Sequence, residues 1–387
     1  MSRRLLSRRS LLATAAASAL ASVPLAAVAS AQPRPDAPAR LTLPAPTGPH
    51  PLGTVSSHLV DRSRVDPWQG TGSVRELMVQ LWYPALTTHG RPTAPWMSPG
   101  TTAVFEREQG IPPGALLLPT THAHLSAPVN RGRCGRPVVL YSPGLRSDRS
   151  LGTALIEELV SHGYVVVAID HTYDADAVEF PGGRVETFAI TGDIDDALVA
   201  KALAVRTADT RFVLDQLAAL NTGRLAGAFD LSRVGMFGHS LGGATAAATI
   251  RADRRLRAGA NLDGSLLAPV TAGTDRPFLL FGSDPGPGGE DPSWDQFWDS
   301  QHGWKRELAL AGSTHISFTD LETLFPQAAP ILGLTPEQVA RAIGTLEPHR
   351  AIHAQRDYLR AFFDLHLRGV DHRLFQRPRY PQVRFVR

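Results

Sequence analysis

The pentapeptide Gly238-His239-Ser240-Leu241-Gly242 constrains this chain more than any other feature. A short apolar run, Val234–Phe237, leads into it, and an Ala- and Gly-rich stretch with helical spacing, Leu241–Arg251, leads out. A buried strand must therefore pass into a helix through a sharp, strained turn. Glycine two positions before and two after the serine removes Cβ atoms that would collide there. Such a turn presents the Ser240 hydroxyl at the carboxyl edge of a sheet, near the positive end of a helix. A serine hydroxyl is a weak nucleophile by itself. It calls for a histidine base oriented by a carboxylate.

The surrounding pattern fits that turn. Short apolar runs at Pro137–Tyr141, Tyr164–Asp170, Leu256–Leu262 and Pro277–Phe281 read as buried parallel strands, with Arg306–Leu310 as the last. Val74–Tyr83 alternates loosely with polar residues and reads as an antiparallel strand near a sheet edge, closed by Pro84. Leu151–Ser161, Asp193–Leu220 and Ala351–Leu367 have helical spacing; the second opens on acids that suit the helix dipole and the third stops at Gly369. Strands alternating with helices predict an α/β architecture, a mostly parallel central sheet with helices on both faces, here the α/β-hydrolase fold.

One such domain is expected over residues 73–387, with a Pro- and Gly-broken surface excursion at about 91–136 that reads as functional or lid-like and holds a short helix near Val104–Glu108. Residues 32–72 read as an extended N-terminal leader. Met1–Ala31 reads as an export signal: paired arginines, an Ala-rich apolar stretch and an Ala29-Ser30-Ala31 site. Arg3-Arg4 and Arg8-Arg9 followed by Ser10-Leu11-Leu12 look like the twin-arginine type, so the mature protein is expected outside the cytoplasm. That segment carries four arginines and no acid, so its removal takes the formal charge from +3 to −1. The remaining chain has no basic patch of the kind nucleic acids need. The single cysteine, Cys134, excludes an intrachain disulfide and reads as an incidental thiol.

In this fold the acid and the base follow the serine in the chain. Of His302, His315, His349, His353 and His366, His315 stands in a turn after the last predicted strand, the loop position a base needs. His349, His353 and His366 fall in or beside the closing helix, and His302 follows Trp298 in an apparent helix. The acid is Asp263 or Asp284, both at carboxyl ends of strands; a later strand is common in the fold and favours Asp284, while turn capping is the ordinary role of either. Leu241 N–H is one expected oxyanion donor. The other must come from Ser142-Pro143-Gly144-Leu145-Arg146, where Pro143 has no N–H to give. Trp294 and Trp298 could line an apolar substrate pocket or pack in the core at helical spacing, and Asp170-His171 reads as a self-satisfied loop pair.

Four segments in this order carry a resemblance: Tyr141-Ser142-Pro143-Gly144-Leu145, Gly238–Ala244, Asn261-Leu262-Asp263-Gly264 and Gly312-Ser313-Thr314-His315-Ile316-Ser317-Phe318-Thr319-Asp320. From Leu81-Trp82-Tyr83-Pro84 to the closing helix the sequence resembles secreted-type platelet-activating-factor acetylhydrolases and their bacterial lipase and esterase relatives. The resemblance implies a serine carboxylic-ester hydrolase with Ser240, Asp263 and His315 as triad, Leu145 and Leu241 as oxyanion donors, no metal or organic cofactor, and a small-molecule or lipid ester as substrate, with contact to lipid interfaces and no nucleic-acid partner. Pro143 stands where some members carry His. Two alternatives remain in view: a cutinase-like polyesterase, whose acid maps nearer Asp284, and a catalytically silent binding protein on the same fold.

Overall fold

The computed structural model describes residues 38–112, 114–266, 272–284 and 291–387. The segment read as an export signal lies outside them. Six strands form the parallel heart of one sheet: β5 (Arg136–Ser142), β6 (Val165–Asp170), β7 (Phe229–His239), β8 (Leu256–Leu262), β9 (Phe278–Ser283) and β10 (Lys305–Leu310). Their spatial order is β6-β5-β7-β8-β9-β10. The chain leaves β5 in one direction to form β6 and returns on the other side to form β7. The carboxyl ends of β5 and β7 are thus the switch point of the sheet, where open α/β sheets bind their ligands.

Alternation along the strands feeds two cores. Val139 and Tyr141 of β5 join Phe237 and Phe281 on one face, under α2 (Thr153–Ser161) and α8 (Pro348–Phe363). Val138 and Leu140 join Met236 and Leu280 on the other, under α3 (Asp196–Leu220) and α4 (Leu241–Ala252). Asp195 caps α3 by accepting from Leu198 N–H at 2.8 Å.

The sheet extends further than the sequence reading allows. β1 (Leu52–Val65) pairs antiparallel with β2 (Val74–Pro84), which pairs with β6. Residues 52–65 were expected in the leader. Their apolar residues are sparse because β1 pairs on both sides yet is buried only in part, so no strict alternation marks it. The rest of the described leader is also tied down. Leu41 and Leu43 are buried, and Arg356 donates to Pro44 O and Ala45 O, both at 2.8 Å, across more than 300 residues of sequence.

The predicted surface excursion is likewise built into the fold. It contains β3 (Thr93–Pro95), α1 (Pro99–Glu108) and β4 (Thr120–Leu125). The two strands extend the sheet beyond β1, and Trp96 and Met97 are buried. At the opposite edge β10 is followed by β11 (Val383–Phe385), which pairs with it antiparallel, so Arg306–Leu310 is not the last strand. Cys134 is exposed and free.

Glu158 on α2 pins the N-terminal segment. Its carboxylate accepts from Thr47 N at 2.9 Å and Thr47 Oγ1 at 2.6 Å and meets His162 Nε2 at 3.0 Å. Burial works to raise this acid, but hydrogen bonds from His162 and Thr47 and the charge of Arg356 outweigh it and hold the group down at about 2. An acid depressed in the fold from an unfolded value of about 4.3 stabilises the protein above that value and ceases to do so as pH falls toward the folded one. Urea unfolding of Glu158→Gln beside the wild type should therefore show a gap of about 3 kcal/mol at pH 7. The gap should close as pH falls from about 4.3 to 2. A gap that does not change with pH would mean that the charge of Glu158 is not what holds the segment.

Candidate active site

The turn from β7 into α4 has no room for a side chain at Gly238 or Gly242. A Cβ on Gly242 would stand 1.9 Å from Ser142 O, and one on Gly238 would stand 2.2 Å from Gly242 C. Within this turn Ser240 takes φ 55° and ψ −126°. Of the six non-glycine residues with positive φ among the described residues, Ser240, Asp263 and Arg146 gather here. Backbone held in such regions persists only where its surroundings over-determine it, and it is concentrated at functional sites. Ser240 N–H donates to Leu262 O at 2.9 Å, which ties the turn to the end of β8. The Ser240 residue itself is buried.

Asp263 follows β8 directly. Its Oδ1 accepts from Ser283 N–H at 2.6 Å and its Oδ2 from His315 Nδ1 at 2.7 Å. Burial pushes this carboxyl up, but His315 and Ser283 together pull it below the ordinary carboxylate range, so it is ionised at neutral pH. A carboxylate can only accept, so Nδ1 of His315 carries the proton and Nε2 is left as a lone-pair acceptor. The His315 ring lies 4.5 Å from that of His239, the residue before the serine. His239 Nε2 in turn donates to His315 O at 3.0 Å. Burial, and next the nearby His315, drive His239 down to about 3, so it stays neutral.

The residue pattern left two acids open and the resemblance implied Asp263; of the two, Asp263 is the one bonded to His315. Asp284 Oδ2 instead accepts from Gly312 N–H at 3.0 Å and caps the turn that leads to His315. The other histidines are elsewhere. His349 and His353 lie on α8, and burial among Trp304 and Phe362 lowers His366 to about 4. His302 N–H donates to Thr274 O in a loop after α5 (Pro292–Ser300), not in a helix.

Leu241 is the first residue of α4, where helix N–H groups lack an intrahelical partner. Leu145 N–H donates to no described residue. The loop carrying it lies against Ser240: a Cβ on Gly144 would stand 3.3 Å from Ser240 Cβ.

A cleft opens beside His239. Phe105, Leu151, Ile316, Leu321 and Phe325 supply its apolar lining, and Arg146, Asp148 and Asp176 also line it. α1, from the predicted excursion, supplies Phe105, and α6 (Leu321–Leu332) supplies Phe325. Trp294 and Trp298, read as pocket residues, are not part of this lining. Trp294 is buried behind the acid, with Nε1 donating to Gly264 O at 2.8 Å and its ring over Gly282. Trp298 packs on the core under Lys305 and Arg387. Their helical spacing is that of a core face. Among the described residues no three His, Cys, Asp or Glu side chains gather as a metal site.

The sequence signature of the family described as platelet-activating factor acetylhydrolase, isoform II, matches residues 38–180 and 205–371. The chain belongs to this family. It is a carboxylic ester hydrolase of the α/β-hydrolase fold. A probable 1-alkyl-2-acetylglycerophosphocholine esterase of Arthroderma benhamiae is 28% identical over 376 residues, covering 90% of this chain and 95% of the relative. A platelet-activating factor acetylhydrolase of Cavia porcellus is 28% identical over 212 residues, 48% of each chain. Among solved structures, a ferulic acid esterase from Streptomyces cinnamoneus is 37% identical, with a TM-score of 0.76 over 90% of this chain and 99% of the other.

The two acids make opposite predictions. Asp263→Asn should lower kcat for nitrophenyl acetate by about 10⁴-fold, as the wrong imidazole tautomer is favoured. Asp284→Asn should stay close to wild type, having lost only a turn cap. The reverse ranking would identify Asp284 as the working acid.

Proposed function

We propose that this esterase works through Ser240, His315 and Asp263 and passes through an acyl-enzyme. The hydrogen bond from His315 Nδ1 to Asp263 Oδ2 carries this reading. It leaves Nε2 to act as the base, on a ring 4.5 Å from that of His239, the residue before a serine held at positive φ. His315 takes the Ser240 proton as Oγ attacks the ester carbonyl. The oxyanion receives N–H bonds from Leu145 and Leu241, each worth about 3 kcal/mol of barrier. His315 then protonates the leaving alcohol. Water, deprotonated by His315, hydrolyses the acyl-enzyme by the same route. Asp263 keeps the ring oriented and stabilises its charged form. His239, neutral and with its ring 4.5 Å from that of His315, adds no opposing charge to the imidazolium.

The substrate in this reading is an ester with an apolar substituent lying along Phe105, Leu151, Ile316, Leu321 and Phe325. An alkyl chain or an aromatic ring suits such a lining, and the two relatives named for an alkyl-acetyl glycerophospholipid and for ferulic acid differ in just this respect. Nitrophenyl esters of increasing chain length, methyl ferulate and an alkyl-acetyl-glycerophosphocholine would separate the classes. The wild type should cleave at least the short esters. Ser240→Ala should lose about 10⁴-fold or more in kcat without a change in melting temperature. Folded wild type that cleaves none of these esters would overturn the proposal.

We further propose export through the twin-arginine route, on the strength of Met1–Ala31. The protein recovered outside the cytoplasm should begin at Gln32; cytosolic protein with Met1–Ala31 intact would refute this.

A further inference from the structure

The loop after β5 is gripped from behind by helix α3. Arg206, fully buried, donates from Nη1 to Pro143 O at 2.5 Å and from Nη2 to Gly144 O at 2.9 Å. Buried Asp174 aligns the guanidinium, accepting from Nε at 2.7 Å and, through its other oxygen, from Nη2. Three residues further along the helix, Asp209 accepts from His171 Nδ1 at 3.0 Å, and His171 Nε2 accepts from Ser142 Oγ at 2.9 Å. Arg75 holds Asp209 through two bonds of 3.0 and 2.6 Å and is itself held by Asp66 at 2.9 Å. Ser142, His171 and Asp209 repeat the residue types of a triad, but all three are fully buried and no substrate reaches them. Residues 142, 143 and 144 are thus each fixed by this network.

Buried ions on this scale are expensive unless fully paired, and hydrophobic residues often stabilise a fold as well. The loop's position suggests what the ions do. A trans peptide holds its C=O and N–H on opposite sides. With Gly144 O bound to Arg206, Leu145 N–H is turned to the opposite face. Pro143 O bound to the same guanidinium turns Gly144 N–H likewise. Ser240 lies against this loop, with its Cβ 3.3 Å from the place a Gly144 Cβ would take.

We propose that Arg206, aligned by Asp174, is a positioning residue for ester hydrolysis. It holds the Pro143–Gly144 and Gly144–Leu145 peptides with their carbonyls turned away from the reacting centre, so that Leu145 N–H is aimed before substrate arrives. Preorganised donors of this kind need no reorganisation at the moment of reaction. A loop freed from Arg206 can turn a carbonyl where the donor should be. The inference rests on the Ser240 mechanism proposed above.

The test uses Arg206→Met/Asp174→Asn, which removes both buried charges together, and Arg206→Lys, which keeps the charge but cannot span two carbonyls and a carboxylate in one plane. Two inhibitors are compared: a trifluoromethyl ketone, which forms a tetrahedral oxyanion adduct with the serine, and the matching methyl ketone as a ground-state ligand. The double variant should melt cooperatively, with kcat for nitrophenyl acetate down about 100-fold and KM little changed. Affinity for the trifluoromethyl ketone should fall by a similar factor while that for the methyl ketone holds. Arg206→Lys should fall between the double variant and the wild type. A folded double variant with wild-type kcat and trifluoromethyl ketone affinity overturns the inference, as does equal weakening of KM and both inhibitors. If the double variant does not fold, Arg206→Lys decides on the same readouts. The parent reading fails separately, if Ser240→Ala remains active.

Discussion

Nothing larger than hydrogen fits at position 242, because Ser142 O occupies the space where a Cβ would be. The close approach of the β5 loop to the β7–α4 turn sets the rest of the site. It requires the parallel pairing of β5 with β7, which runs through Gly238 opposite Ser142. It also forces Ser240 into positive φ, a strain of about 1–3 kcal/mol for such a residue. The turn cannot relax, because β7 is the buried centre of the sheet with apolar layers on both faces. Packing thus holds the serine in a conformation it would not adopt in a free peptide.

Charge is divided around this turn according to use. Asp263 is kept ionised by the imidazole and the backbone N–H it accepts from. His239, buried beside it, is kept neutral. Two imidazoles 4.5 Å apart therefore share one site, and one of them, His239, stays uncharged. Behind the β5 loop the rule is reversed: Arg75, Arg206, Asp174 and Asp209 are buried as ions, and each has an opposite charge within hydrogen-bonding distance. The first arrangement keeps a buried imidazole uncharged beside a carboxylate, and the second pairs every buried charge.

Much of this was legible in the sequence. The serine turn, the parallel strands and the two candidate acids follow from short-range pattern, since each depends on residues close together in the chain. Short-range pattern did not separate Asp263 from Asp284, because both end strands; the family resemblance did, in favour of the one that meets His315. β1 was missed since a strand buried only in part shows no clean period, and β11 since three residues show none at all. Arg206 and Asp209 were hidden in an amphipathic helix, where charged residues ordinarily face water. Their meaning depends on a loop more than 60 residues away. Trp294 shows the opposite error: aromatic residues near a site were open to a substrate reading, and this one packs against the back of the acid.

The bonds from Arg356 to Pro44 and Ala45 close the molecule between its first described residues and its closing helix. The central strands β5 and β7 are likewise separated by about 90 residues of intervening chain that supplies β6 and α3. Contacts of such long sequence separation are slow to form, and each must wait until its later partner has been made. The chain must have been made as far as Arg356 before α8 can clasp the N-terminal segment. A nascent chain of this enzyme therefore carries a sheet not yet covered by α8 until Arg356 has emerged, and it is exposed to aggregation over that time.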